Sequence, residues 1–207
     1  MADNSERLGP QIAGELREWL PASGDRLFVE TDDAAILDPL GFSVPGELRS
    51  PIGRWGLYAD GFLHAGDRLV ESGTIRPWED ALLYPLLTLY HQHLELLLKI
   101  VIRHAPKFDD KIREFLYKNH GLDKLWTKLD EVYPTAHKWA SKECTEACSR
   151  LIKEFAQHDP ESFGARYPVD KLDKQTLEQL RAIDINVLKL GVHKISHYLD
   201  TIMESDS

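Results

Sequence analysis

From Glu79 to Arg103 the chain reads EDALLYPLLTLYHQHLELLLKIVIR. As a helix this segment would span about 37 Å. On a wheel of 100° per residue, Leu86, Leu89, Tyr90, Leu94, Leu96, Leu97, Leu98, Ile100 and Val101 cover most of the circumference. A helix that is apolar nearly all round has no face to offer to water, so it must lie at the centre with other elements around it. Pro85 must kink this helix or sit in its first turn. Only a narrow polar stripe remains: Thr88, His91, Gln92, Glu95, Lys99 and Arg103.

The segments able to surround it are also helical. Leu57, Phe62, Leu63, Leu69 and Val70 predict a helix over 57–72, stopped at Gly73. A short helix follows over 109–118. Another runs over 122–132, with Leu122, Leu125, Trp126 and Leu129 at the spacing of a buried face. A helix over 141–158 buries Cys144, Cys148, Leu151, Ile152 and Phe155. Residues 159–173 hold two prolines and a glycine and read as a loop. The last helix is expected over 174–203, capped by Asp173. Its Leu188, Val192, Ile195, Leu199 and Ile202 form a seam for another helix, in the same chain or in a second copy. No alternation of strand and helix occurs. The expected class is all-α, an antiparallel bundle of five to six helices over residues 51–207. Residues 1–50, rich in proline and glycine, are expected to form an acidic, loosely structured arm. Within it, a short helix over 11–20 and a strand over 26–30 are the local expectations.

Charge bears on function. The formal charge is −9, which excludes coating of nucleic acid or anionic membrane through bulk charge. The acidity is uneven. Residues 1–50 carry four basic and ten acidic side chains, and residues 51–207 carry 21 and 24. Between Lys99 and Lys128 eight Lys and Arg face four acids, a local +4 able to hold phosphates. No apolar run reaches membrane-spanning length, and the first twenty residues lack a signal-peptide core. The expected location is the cytoplasm, with no membrane partner.

No phosphate loop, dinucleotide fingerprint, nucleophile elbow or H-E-x-x-H zinc motif is present. Cys144 and Cys148 read as small buried thiols rather than zinc ligands. His193 and His197, four apart, have metal-binding spacing but no third ligand in the local sequence, so no metal and no cofactor are expected. His93 falls inside the apolar arc of the central helix. It must be either a satisfied core histidine or a group lining an internal groove. On the polar stripe, His91, Glu95, Lys99 and Arg103 read either as a solvated face or as an acid, a base and two cations facing a cleft.

Several short motifs recur together. The apolar helix carries Tyr-x-x-His-x-Glu-Leu (Tyr90, His93, Glu95, Leu96). Asn-His-Gly-Leu-x-x-Leu-Trp runs from Asn119 to Trp126. Asp-Pro-x-Ser-Phe and Arg-Tyr-Pro-x-Asp lie between Asp159 and Asp170, and the last helix carries Tyr-Leu-Asp (Tyr198 to Asp200). Over about residues 55–203 the chain resembles the HEPN-like helical proteins of bacteria, named for a domain of higher eukaryotes and prokaryotes with proposed nucleotide binding. The resemblance implies a compact helical bundle, a homodimer, and RNA or a nucleotide as partner. Many such proteins are metal-independent endoribonucleases of defence or toxin–antitoxin systems. In them an Arg and a His with four to six residues between them meet their counterparts across the dimer. Arg113 and His120 match that spacing, with His93 a second candidate base. Arg166 and Asp170 fall in the Arg-Tyr-Pro-x-Asp segment, where Arg166 is either a phosphate ligand or a structural Arg pinned to Asp159 or Asp170. His91, Glu95, Lys99, Arg103 and Lys124 complete the expected phosphate or nucleotide site. The alternative is a non-catalytic module that recognises a protein partner through its last helix.

Overall fold

A computed structural model describes residues 51–73, 75, 80–160, 163–178, 180 and 182–204. The expected N-terminal arm, with its helix and strand, lies outside the described residues. The described residues form six α-helices and no strand: α1 Pro51–Glu71, α2 Leu83–His104, α3 Asp110–Lys118, α4 Leu122–Val132, α5 Lys142–His158 and α6 Ile185–Glu204. The described residues make an all-α helical bundle.

The apolar helix α2 takes the central place. Leu86, Leu94, Leu98, Val101 and Ile102 are fully buried, and α1, α4 and α6 pack against it, while α5 bridges α4 and α6. A 3-10 turn at Asp80–Leu82 leads into α2, which puts Pro85 in the first helical turn. There its missing N–H has no intrahelical partner to lose, so no kink is required. Tyr90 fixes the α1–α2 approach. A Cβ added at Gly66 would lie 2.6 Å from the Tyr90 ring, so only glycine admits this aromatic against α1. The phenol donates to Asp67 at 3.0 Å.

Local signals place the other helices. Asp109 caps α3 by accepting from the Ile112 N–H at 2.8 Å, and Ser141 caps α5 through Cys144 N–H at 3.2 Å. The seam of α6 is satisfied within the chain, since Val192, Ile195, Leu199 and Ile202 are all buried in the common core. The start of α6 differs from expectation. Asp173 caps nothing; its φ is +58°, and it closes a turn in which the Asp170 carboxylate accepts from Leu172 and Lys174 N–H at 2.7 and 3.0 Å. A single bridge between Val169 and Gln175 ties that turn. The helix begins eleven residues later than expected, where Asp184 accepts from Asn186 and Val187 N–H at 2.9 and 3.2 Å. Among the described residues, no helix is long and apolar enough to cross a membrane.

Candidate functional site

The polar stripe of α2 turns inward. Glu95 and Lys99, one helical turn apart, are 3 % and 4 % exposed and joined at 2.7 Å. A buried carboxylate and ammonium persist only when each compensates the other. Lys99 is therefore engaged inside the protein, and the expectation that it meets a phosphate is corrected. The same Glu95 Oε1 accepts from His120 Nδ1 at 2.9 Å. His120 is not on a helix. It follows Asn119, where the backbone turns extended and the amide donates to Phe115 C=O at 2.8 Å, and it precedes Gly121, the N-cap of α4. Its side chain is 51 % exposed.

Because the carboxylate only accepts, Nδ1 carries the hydrogen and the lone pair sits on Nε2. An imidazole is thus held at one nitrogen by a buried acid. It presents a basic nitrogen on its other side. The acid would stabilise the imidazolium formed on taking up a proton.

His91 secures the same residue through its backbone. It is 0 % exposed, and its Nε2 donates to the His120 carbonyl at 3.0 Å. Its ring edge meets Phe155 at 5.7 Å, and its Nδ1 is buried without a hydrogen-bond partner. Burial lowers the His91 pKa below its ordinary 6.5. The His120 carbonyl, Asp159 and Glu95 oppose that shift, and Arg166 adds to it. His91 is a neutral brace rather than an acid or base open to substrate.

The segment after α5 covers this corner. The Asp159 carboxylate, 2 % exposed, accepts from Gly164 and Ala165 N–H at 2.8 and 3.3 Å and folds the chain back. A Cβ on Gly121 would lie 2.8 Å from the Pro160 carbonyl, so a side chain there would displace this segment. Arg166, exposed, is thereby brought within electrostatic reach of His91. Lys124, in the first turn of α4, runs its side chain beside Gly121. Phe155 and Asp159 also line an apolar cavity of about 310 Å³, together with Leu177, Ile183 and Val192.

Other expected residues stand apart. Arg113 pairs with Asp110 in its own helix and lies over the Phe108 ring at 5.7 Å. No hydrogen bond or ion pair joins it to His120 among the described residues, because α3 ends at Lys118 and the spacing no longer follows a helix. His93 is 1 % exposed. Its Nδ1 donates to Ala59 C=O at 2.9 Å and its Nε2 accepts from Ser196 at 3.0 Å, tying α1, α2 and α6. Both nitrogens are engaged, so it is a satisfied core histidine with nothing left for a substrate. The Arg103 guanidinium lies between Trp55 and Phe108 at 5.2 and 5.3 Å. Asp170 organises its own turn, and its backbone hydrogen bonds hold its pKa below the usual carboxylate range. His193 Nε2 donates to Asp67 at 2.9 Å, and no group of three metal-ligating side chains gathers among the described residues. Cys144 is exposed, contrary to expectation, while Cys148 is buried and its thiol is pushed up to about 12 by that burial.

In the sequence, Asp159 as organiser of the covering segment is signalled by an Asp-Pro step directly after a helix, and no local spacing marks the chain Asp130–His137–Tyr198–Thr145. There His137 Nε2 donates to Asp130 at 2.9 Å, and its Nδ1 accepts from Tyr198 at 2.8 Å. Thr145 donates to the same phenol oxygen at 2.9 Å. Burial pushes Tyr198 up to about 12, so this chain braces α4, α5 and α6 without an activated phenolate. No family model matches the chain, and no curated protein or solved structure matches it.

Proposed function

We propose that the chain is a HEPN-like RNA-binding domain that cleaves RNA without a metal, with His120 as general base. The observation that carries this reading is the Glu95–His120 dyad: a half-exposed imidazole anchored at 2.9 Å by a carboxylate that is itself buried and paired with Lys99. That arrangement fixes the tautomer and leaves Nε2 to act.

In the proposed reaction Nε2 removes the proton of an RNA 2′-hydroxyl. The oxygen attacks the adjacent phosphorus, the 5′-oxygen leaves, and it takes a proton from the imidazolium. The products are a 2′,3′-cyclic phosphate and a 5′-hydroxyl. Charge developing on the phosphoryl oxygens needs a cation nearby. Arg166 and Lys124 are the cations on the two segments that flank His120 and Gly121. Arg113 is given no part, since it faces Asp110 and Phe108. A homodimer, RNA as the natural partner and a role in bacterial defence belong to this proposal through the family resemblance alone. The rival reading, recognition of a protein through α6, loses its main support because the α6 seam is buried in the chain's own core.

The test is cleavage of a single-stranded RNA in EDTA. An otherwise identical strand with one 2′-deoxy substitution at the cleavage position should resist scission there. Scission at that position despite the missing hydroxyl would refute the mechanism.

A further inference from the structure

A second surface carries a different chemistry. Along α3, Arg113 and Tyr117 lie four apart and so share a face. Tyr117 is 62 % exposed, and its ring meets Trp55 of α1 edge-on at 6.3 Å. The Arg103 guanidinium in turn lies over both the Trp55 and the Phe108 rings, and Phe108 also carries Arg113. The order Tyr117, Trp55, Arg103, Phe108, Arg113 is a continuous row of three aromatic rings and two guanidinium groups drawn from α1, α2, α3 and the α2–α3 connection.

Two features of this row exceed what packing requires. Arg103 Nε and Nη1 are buried without an acceptor, and no carboxylate pairs with that guanidinium among the described residues. Among the described residues Arg113 is paired only with Asp110, and both side chains are exposed, 50 % and 88 %. Such an exposed pair contributes little, so it is a weak competitor for a phosphate at the guanidinium. All of the row except Trp55 also lies in the stretch with a net +4 charge, residues 99–128.

We infer that this row is a stacking platform for an unpaired RNA base, with Tyr117 as the stacking ring and Arg113 as the phosphate contact. Aromatic rings interleaved with arginines suit single strands, because every base has a π-face and the guanidinium adds both charge and a plane. Duplex RNA keeps its base faces buried and cannot use such a row. An acidic peptide would meet the charge and leave the exposed ring idle. The inference rests on the RNA reading of the His120 site, which Tyr117 precedes by three residues.

The test uses the full chain and a fluorescent twelve-nucleotide oligouridylate, read by anisotropy. His120→Ala serves as the background so that the probe stays intact. Tyr117→Ala should weaken binding at least about fivefold and Tyr117→Phe should keep it. Arg113→Ala should reduce the salt dependence of binding by about one phosphate contact. Unchanged affinity in Tyr117→Ala overturns the platform. So does a twelve-base-pair RNA duplex, or polyglutamate, that binds as tightly as the single strand. The two proposals separate cleanly. Wild type that leaves RNA intact while Tyr117→Ala loses binding removes catalysis and keeps the platform. Wild type that cleaves RNA while Tyr117→Ala binds normally does the reverse.

Discussion

Replacing Glu95 by Met should separate the structural and chemical roles of the buried pair. Glu95 and Lys99 have side-chain exposures of 3 % and 5 % at 2.7 Å. Without Glu95 the Lys99 ammonium stays buried and uncompensated, a loss of about 3–5 kcal/mol. The lost hydrogen bond to half-exposed His120 adds little to that figure. With a urea m-value of about 2 kcal/mol/M, the unfolding midpoint should fall by about 1.5–2.5 M. Glu95→Met/Lys99→Met removes both charges and keeps comparable volume. Its midpoint should return to within about 0.5 M of wild type. RNA cleavage should be lost in both variants, because His120 loses its anchor in each. Urea unfolding followed by circular dichroism reads the first quantity, and cleavage in EDTA reads the second. A single variant that loses less than about 1 kcal/mol contradicts the buried ion pair. A double variant as unstable as the single one would assign the loss to packing instead of charge.

Gly121→Ala places a methyl 2.8 Å from the Pro160 carbonyl. It should push the covering segment, with Arg166, away from His120 and reduce cleavage while leaving helix content unchanged; wild-type cleavage rates would contradict the closed corner. The pH dependence of stability has a definite sign. Burial lowers the folded pKa of His91 and of His93 below 6.5, so the unfolded chain binds more protons just below that value. Stability should hold above pH 7 and fall as pH drops through 6.5, by up to about 1.4 kcal/mol per pH unit for each histidine. Equal urea midpoints at pH 7.5 and 5.5 would contradict two buried neutral imidazoles.

The sequence made the centre of the bundle legible, because a helix apolar all round admits one place only. It also exposed the α6 seam and the two readings of His93, of which the structure supports the core one. It located the polar stripe of α2 without saying what covers it. That cover is residue 120, twenty-five positions beyond Glu95, and periodicity carries no information on so distant a contact. The Arg113–His120 spacing misled for a local reason: α3 stops at Lys118, and an extended Asn119 redirects the histidine inward toward α2. The late start of α6 has a similar cause. Asp170 and Asp184 both satisfy backbone N–H groups, and a helical composition over 174–184 does not outweigh those turns.

The proposed general-base role of His120, held by the buried Glu95 carboxylate, requires the imidazole itself. That role is tested most directly by single-turnover cleavage of a single-stranded RNA in EDTA, comparing wild type with His120→Ala. Half-exposed His120 contributes little to the core, so both proteins should unfold at the same urea concentration. Wild type should cleave to a 2′,3′-cyclic phosphate, and the variant should be slower by about 10²–10⁴. Equal rates in the two proteins, or intact RNA with wild type, would contradict it.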